Sequence, residues 1–401
     1  MSKKIVVIGT GYVGLPAALM WAQSGLEVVG VDINENIVRA INQKTLLLNE
    51  SELNELLASP DVQRNLIAQT APCEGDVFVI AVPTPVHPLK KVADLACVRD
   101  ALHSIAPFLK PGNLVIIEST IPPLTTRDFA RPLLEELTGL RVPEDILLTH
   151  CPERILPGDI FHEIVHNDRL IGGLNEASGQ ASLEIYQAFV KGQLFLTDDL
   201  SAELSKLFEN TYRDVNIALA NEISLICEDL GADVHKVIGF ANRHPRVNIL
   251  NPGIGVGGHC IPVDPWFLKE VAPYNARIIT TARLINDEMP RRMAEKIRKA
   301  VNNVKNPKIV ALGATYKRNC EDIRESPAVE IVHLLKDEGY NITHFDPLVE
   351  KMQYASIEEI VKGADLIVVL VRHNQISQEL KEKETIILNA MRTPGVLILD
   401  K

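Results

Sequence analysis

Cys260 closes a glycine-rich stretch, Asn251-Pro-Gly-Ile-Gly-Val-Gly-Gly-His-Cys-Ile-Pro-Val-Asp264, whose composition points to chemistry at sulfur. A thiolate is a strong nucleophile, and a thiol at the first turn of a helix ionises more readily because unpaired N–H groups and the helix dipole favour the anion. Gly253, Gly255, Gly257 and Gly258 permit positive φ angles and close backbone approach, at an entropic cost that invites a functional reason. Pro262 and Pro265 suit a first helical turn, where a missing N–H costs nothing. The spacing therefore predicts that Cys260 opens a helix and that Asp264, four residues on, faces the same side to hold a water or a cation beside the sulfur. The competing account is that a lone cysteine is usually buried, inert packing. His259 is not expected to pair with the thiol, because adjacent residues on a helix point apart.

A second set of candidates lies on a long helix expected from Leu200 to Leu230, a run without glycine or proline. Lys206, Asn210 and Arg213 fall at i, i+4 and i+7 on one face, with Glu203 a turn earlier. Leu204, Leu207, Phe208, Ile217 and Leu219 flank that face on several sides. The helix is thus expected to be largely covered, with its polar stripe lining a cleft rather than forming a solvated charge stripe. Arg243 and Arg246, just before the cysteine loop, suit a diphosphate or carboxylate, although exposed arginine is the common case. Lys317 and Arg324 sit in a basic loop, Gly313 to Pro327, that could clamp an anion.

The elements that must position these groups start with Lys3-Lys-Ile-Val-Val-Ile-Gly9, a β-branched run of the buried parallel type. Gly9-Thr10-Gly11-Tyr12-Val13-Gly14 follows at once, then a helix from Leu15 to Ser24, then the strand Val28–Val31 with Asp32 at its end. That order is a dinucleotide-binding fingerprint, in which the glycines admit a pyrophosphate to the helix N-terminus and the acid accepts from ribose hydroxyls. An acid at position 32 would repel a 2'-phosphate, so NAD is expected rather than NADP. Further strands over 76–82, 113–118, 146–149 and 192–197 bring Thr84, Thr120 and Glu153 to strand carboxyl ends, where open parallel sheets collect ligands. For the threonines, turn or cap chemistry is the plainer alternative. Asn275 to Val304 reads as a helical stretch interrupted by Pro290. From Pro307 the pattern of strand, helix and strand starts again, with strands at 308–313, 340–345, 366–371, 386–388 and 396–399.

The fold class expected is α/β, two Rossmann-like doubly wound domains joined by a long central helical segment. The boundaries are 1–198, 199–304 and 305–401. A length of 401 residues agrees with several domains. A composition 46% hydrophobic and 23% charged is that of a globular protein, and a formal net charge of −11 without a basic run argues against nucleic-acid binding. No metal site is signalled, because the six cysteines lack C-x-x-C spacing. With no apolar run of membrane-spanning length and no signal-peptide core after Met1, a cytoplasmic protein with reduced thiols is expected.

Taken together, two Rossmann-like domains flanking a helical segment with a Gly-Gly-His-Cys-Ile-Pro-Val-Asp loop resemble the UDP-glucose/GDP-mannose dehydrogenase family over essentially the whole chain. Cys151-Pro-Glu-Arg-Ile-Leu-Pro-Gly158, Asn167-Asp-Arg-Leu-Ile-Gly-Gly173, Tyr212-Arg-Asp-Val-Asn-Ile-Ala218 and Asn242-Arg-His-Pro-Arg-Val-Asn248 resemble the branch acting on UDP-N-acetyl-D-mannosamine. The same reaction on UDP-N-acetylglucosamine or UDP-glucose, or a silent nucleotide-sugar-binding protein, are the alternatives.

The resemblance implies oxidation of the sugar's C6 alcohol by NAD, capture of the aldehyde by Cys260 as a thiohemiacetal, a second oxidation to a thioester, and hydrolysis to the uronate. It implies that Lys206, Asn210 and Asp264 stabilise the developing alkoxide. Glu153 serves as base for hydrolysis, and Thr120 orients water. Arg154, Arg213, Gly257, Lys317 and either Arg243 or Arg246 would contact the UDP-sugar, and Arg324, with Thr84 and Thr120, the cofactor. The family also implies a homodimer or higher oligomer built on the long helix, with an exposed apolar face around Ile217 to Leu225 buried by a partner. The chain departs from relatives at Ile37, where some carry a basic residue, at Pro157, where UDP-glucose dehydrogenases carry an acid, and after Lys401, where relatives often continue.

Overall fold

A computed structural model describes residues 3–45, 51–155, 159–352, 356–384, 391 and 396–399. The departure at Pro157, the strand expected at 386–388 and the C-terminal pair Asp400-Lys401 lie outside them. Internal contacts divide the chain into two compact units, Met1–Glu209 with Trp266–Ala272 and Asn210–Pro265 with Pro273–Lys401.

The first unit is built on β1 (Lys4–Ile8), β2 (Glu27–Val31), β3 (Leu66–Gln69), β4 (Val77–Ile80), β5 (Leu114–Ile117), β6 (Leu147–His150), β7 (Arg169–Gly173) and β8 (Leu194–Asp198). They form one sheet in the order β3-β2-β1-β4-β5-β6-β7-β8, in which β6 and β7 pair antiparallel and the other neighbours run parallel. Side chains alternate across such a sheet. Ile5, Val7, Val77, Val79, Leu114 and Ile116 therefore enter one core, while Val6, Ile8, Phe78, Ile80, Val115 and Ile117 enter the other. Both faces are covered, which is why these strands read as unbroken apolar runs. Ile37, the departure noted above, packs against the first core.

The second unit repeats this plan with β9 (Lys308–Leu312), β10 (Asn341–Phe345), β11 (Leu366–Val369) and β12 (Val396–Ile398), all parallel, in the order β10-β9-β11-β12. Ile309, Ala311, Leu366 and Val368 face one core, and Val310, Leu312, Ile367 and Val369 the other. The first strand of each unit ends in the same way. Gly9 has φ +90° and Gly313 has φ +91°. A Cβ on Gly9 would lie 2.4 Å from the Ala81 carbonyl oxygen and one on Gly313 2.5 Å from that of Val371, so no other residue fits either crossing.

The helix Asp199–Leu230 is 32 residues long. Lys206, at 8% exposure, and Asn210, at 0%, are buried, so this face is no solvated charge stripe. The apolar flanks are less covered than expected, since Phe208, Tyr212, Leu219, Ile226 and Leu230 are exposed. At about 100° per residue these five fall within an arc of about 40°, opposite Lys206 and Asn210. The expected break at Pro290 is also corrected, because Arg277–Val301 is one helix with Pro290 inside it. Burial of Met289, Met293, Ala294 and Ile297 in the core outweighs the hydrogen bond that proline omits. No helix among the described residues is long and apolar enough to cross a membrane.

Candidate active site

In the first unit the glycine loop follows β1. A Cβ on Gly14 would fall 1.9 Å from the Gly9 carbonyl oxygen, which holds the helix Gly14–Gln23 close to the strand end. Gly11 has open space instead, with nothing within 4 Å of where its Cβ would stand. Val13 occupies the N-cap without a side-chain cap, so the helix's first amides are not satisfied by a side chain of that cap. Tyr12 is 44% exposed beside them. Asp32 follows β2, where its Oδ2 accepts from Thr10 N at 3.0 Å and Thr10 Oγ1 at 3.1 Å, and its Oδ1 from Asn34 N at 3.0 Å. An open glycine at the start of a helix whose cap carries no capping side chain, beside an oriented carboxylate, fits the pyrophosphate and ribose of a dinucleotide.

The ends of β4 and β5 are tied together beside this loop. The Thr84 hydroxyl donates to the Thr120 carbonyl at 2.5 Å, and Ser119 Oγ accepts from Val82 N at 2.9 Å and donates to Val82 O at 2.8 Å. Glu153 follows β6 at 8% exposure. Its Oε1 accepts from the Arg154 amide at 2.7 Å, and its Oε2 from Arg169 Nη2 at 2.6 Å. Arg154 pairs with Glu209 at 2.7 Å and donates to the Asp168 carbonyl. Glu203 braces the turn before Thr125, accepting from Leu124 N at 2.6 Å and from Thr126 N at 2.9 Å where Leu124 takes φ +73°. Burial pushes the Glu203 carboxyl up to about 7 against those donors.

In the second unit Asn210 Nδ2 donates to Asp264 Oδ2 at 2.5 Å, and Arg213 donates to Asn210 Oδ1. Asp264 begins the helix Asp264–Val271 at 2% exposure. Cys260 therefore does not open that helix, as the prolines had suggested; residues 261–263 form a turn and Cys260 precedes it. Pro262 lies in this turn and Pro265 in the first helical turn, and the Cys260 carbonyl accepts from Val263 N at 3.0 Å and Asp264 N at 2.9 Å. The cysteine is exposed, one hydrogen-bonded turn from the buried carboxylate.

The cysteine loop lies on the Lys317 loop. A Cβ on Gly257 would stand 2.4 Å from the Glu325 carbonyl and 2.7 Å from Tyr316 Cβ. Gly258, at φ +90°, sits against the Tyr316 ring, and its amide donates to the Arg324 carbonyl at 3.1 Å. His259 faces Asp322 at 3.3 Å, and Arg324 pairs with the same carboxylate at 2.7 Å.

His373 anchors the Lys317 loop from below. Its Nδ1 accepts from Asn319 N at 2.9 Å, which leaves Nε2–H to donate to Asp346 Oδ2 at 3.0 Å. Asp346, 0% exposed, also accepts from Ala314 N at 2.6 Å and Leu348 N at 2.8 Å. Burial alone would raise its pKa, but the imidazole and the amides outweigh it and hold the carboxyl below its usual value. The Lys317 carbonyl accepts from Thr315 Oγ1 at 2.9 Å. Arg243 and Arg246 lie exposed beyond the helix Val234–Ala241, in a loop that Asn242 closes by bonding both the amide and the carbonyl of Ile249.

Asp32, Thr84, Thr120 and Glu153 thus lie past strand ends and Lys206, Asn210 and Arg213 on the long helix, whereas Cys260 lies in the loop against Tyr316 and Arg243 and Arg246 stand apart in an exposed loop. Glu118, Arg169 and Tyr186 were not among the candidates, although two signals pointed to them. Glu118 ends an apolar strand at the address that marked Thr120, and Arg169 is a charge in an otherwise apolar strand.

Residues 3–190 match the NAD binding domain of the UDP-glucose/GDP-mannose dehydrogenase family, residues 200–288 its central domain and residues 310–398 its UDP binding domain. The chain is 46% identical to the UDP-N-acetyl-D-mannosamine dehydrogenase of Methanocaldococcus jannaschii, covering 100% of this chain and 92% of that protein. It is 43% identical to an NDP-N-acetyl-D-galactosaminuronic acid dehydrogenase of Ralstonia solanacearum, covering 93% of this chain and 91% of that protein. Among solved structures it resembles the UDP-D-ManNAc dehydrogenase of Pyrococcus horikoshii with a TM-score of 0.93 and 39% identity, over 99% of this chain and 95% of that one.

Proposed function

The chain belongs to the UDP-glucose/GDP-mannose dehydrogenase family, and from that premise we propose that it oxidises the C6 alcohol of UDP-N-acetyl-D-mannosamine to UDP-N-acetyl-D-mannosaminuronate in two steps. Its cofactor is NAD, which when bound accepts a hydride from C6 in each oxidation. Cys260 adds to the intermediate aldehyde, so that the second oxidation acts on a thiohemiacetal and leaves a thioester. Splitting a hard oxidation this way also keeps the aldehyde from escaping. Lys206, Asn210 and an Asp264-held water stabilise the oxygen that gains negative charge. Glu153 takes a proton from the hydrolytic water, which Thr120 helps to orient. Arg154, Arg213, Gly257, Lys317 and one of Arg243 and Arg246 hold the sugar nucleotide, and Gly9 to Gly14, Asp32, Thr84, Thr120 and Arg324 the cofactor.

The observation that carries the covalent route is the turn from Cys260 to Asp264, which sets an exposed sulfur one turn from a buried carboxylate already gripped by Asn210. A nucleophilic thiol must stay reduced, which favours the cytoplasm as the compartment. The exposed stripe from Phe208 to Leu230 supports a homodimer, since a contiguous apolar face of this kind marks a contact surface.

A second epimer is favoured by one finding, the 43% identity to the Ralstonia solanacearum galactosaminuronic acid dehydrogenase. Steady-state rates with UDP-N-acetyl-D-mannosamine, UDP-N-acetylglucosamine, UDP-N-acetylgalactosamine and UDP-glucose decide between them. The mannosamine sugar is expected to lead in kcat/KM by about tenfold or more, or about 1.4 kcal/mol, and equal turnover of another sugar overturns the choice. In Cys260→Ser, steady NADH formation should fall by about a thousand-fold or more while sugar binding by calorimetry persists. Undiminished turnover would remove the covalent route.

A further inference from the structure

Arg169, Glu118 and Tyr186 form a buried charged group directly behind Glu153, and the reaction as proposed gives them no task. Arg169 begins β7 at 4% exposure, Glu118 follows β5 at 1%, and Tyr186 is 0% exposed. The antiparallel pairing of β6 with β7 helps bring these ends together. Arg169 Nη2 donates to Glu153 Oε2 at 2.6 Å, and Arg169 Nη1 lies 3.6 Å from Glu118 Oε1. The Tyr186 hydroxyl donates to Glu118 Oε1 at 2.6 Å, and its ring centroid lies 4.5 Å from the guanidinium carbon.

Two carboxyl groups thus share one buried guanidinium, and a buried charge without a partner is costly. If Arg169 merely balanced charge in the core, one carboxylate would suffice. The pairing is also lopsided. Glu153 holds Arg169 by a short hydrogen bond, whereas Glu118 Oε2 and Arg169 Nη1 have no hydrogen-bond partner among the described residues. Burial pushes the Glu118 carboxyl up to about 7, with Arg169 pulling it down, Glu153 pushing it up and Tyr186 pulling it down. The second carboxyl is therefore a place for charge that Arg169 can use when Glu153 ceases to need it.

We propose that Arg169 and Glu118 are positioning residues for Glu153, with Arg169 fixing the carboxylate that receives the hydrolytic proton and Glu118 taking over as the guanidinium's counter-charge once that proton has arrived. This rests on the covalent route and on Glu153 as its base. In the step concerned, a water oxygen bonds to the acyl carbon of the Cys260 thioester and one water proton passes to Glu153. The C–S bond breaks and sulfur leaves as thiolate, after which the new carboxylic acid releases its own proton. Glu153, now neutral, no longer offsets Arg169, and Glu118 at 3.6 Å keeps the buried group from carrying a lone positive charge.

The test separates hydride transfer from hydrolysis in the full-length enzyme. Glu118→Gln, Arg169→Lys and the benchmark Glu153→Gln are mixed with NAD and sugar nucleotide. The NADH burst, the steady-state rate and the intact mass after rapid quenching are measured, with urea midpoints as a control on folding. Glu118→Gln and Arg169→Lys are expected to keep the burst, to lose about tenfold or more in the steady-state rate, and to accumulate the acyl adduct on Cys260. If Glu153→Gln accumulates adduct while the other two hydrolyse it at the wild-type rate, the inference is wrong and the reading of Glu153 stands. No adduct in Glu153→Gln would remove that reading and the inference with it. Should Arg169→Lys fail to fold, Glu118→Gln, which keeps shape and an acceptor for Tyr186, decides alone. Loss of burst and steady state together, without adduct, would mean a purely structural role.

Discussion

His150 ends β6 at 1% exposure, and burial pushes its imidazole down to about 4, opposed by the Ile117 backbone and Asp199 and aided by Lys206. The unfolded chain takes up this proton near 6.5 and the folded chain near 4, so the folded state loses stability as pH falls through that window. The loss amounts to about 3 kcal/mol at the acid end. Glu118, raised to about 7, acts in the opposite sense, its contribution being lost as pH rises from the ordinary carboxyl range through 7. Urea midpoints measured from pH 7 to 4 should therefore fall more steeply for the wild type than for His150→Asn. Parallel curves would show that the imidazole is not the group responsible.

At the scale of elements, the cysteine loop depends on a bed that only glycine allows. Gly257→Ala places a methyl group 2.4 Å from the Glu325 carbonyl, so one of the two loops must shift. A displacement of about 1 Å at a reacting group costs about a hundred-fold in rate. That loss is expected in kcat/KM for the sugar nucleotide, with NAD affinity by fluorescence titration little changed, and wild-type kinetics would refute the packing argument. The repeated Rossmann pattern was legible because its signals are local: strand, glycines, helix and terminal acid lie within about thirty residues. The strand Arg169–Gly173 was not, because a buried arginine opens it and its fitness comes from Glu153 and Glu118, far away in the chain. The same limit misled the reading of Cys260. Two prolines fit a first turn equally well at either of two starts, and the turn bonds to the Cys260 carbonyl decide for the later one. Asn210 and Asp264 were each legible as candidates, but their 2.5 Å contact is a product of folding.

For the whole molecule, the helix Asp199–Leu230 carries its buried polar groups on one side and Phe208, Tyr212, Leu219, Ile226 and Leu230 on the other. Placing a charge in the middle of that stripe, as in Ile226→Asp, is expected to dissociate the proposed dimer. Light scattering should then give about half the wild-type mass, and an unchanged mass would place the contact elsewhere. The two units also resemble each other more closely than their strand orders require. Asp32 and Asp346 end corresponding strands and accept at Oδ2 from the amides of Thr10 and Ala314, and at Oδ1 from those of Asn34 and Leu348. They differ in what comes next, since Asp32 remains partly exposed while the imidazole of His373 closes over Asp346. Two sockets have been cut to one pattern, and one of them is plugged. With Asp32 as the proposed ribose acceptor, the His373 imidazole over Asp346 would deny an adenosine the equivalent seat in the second unit.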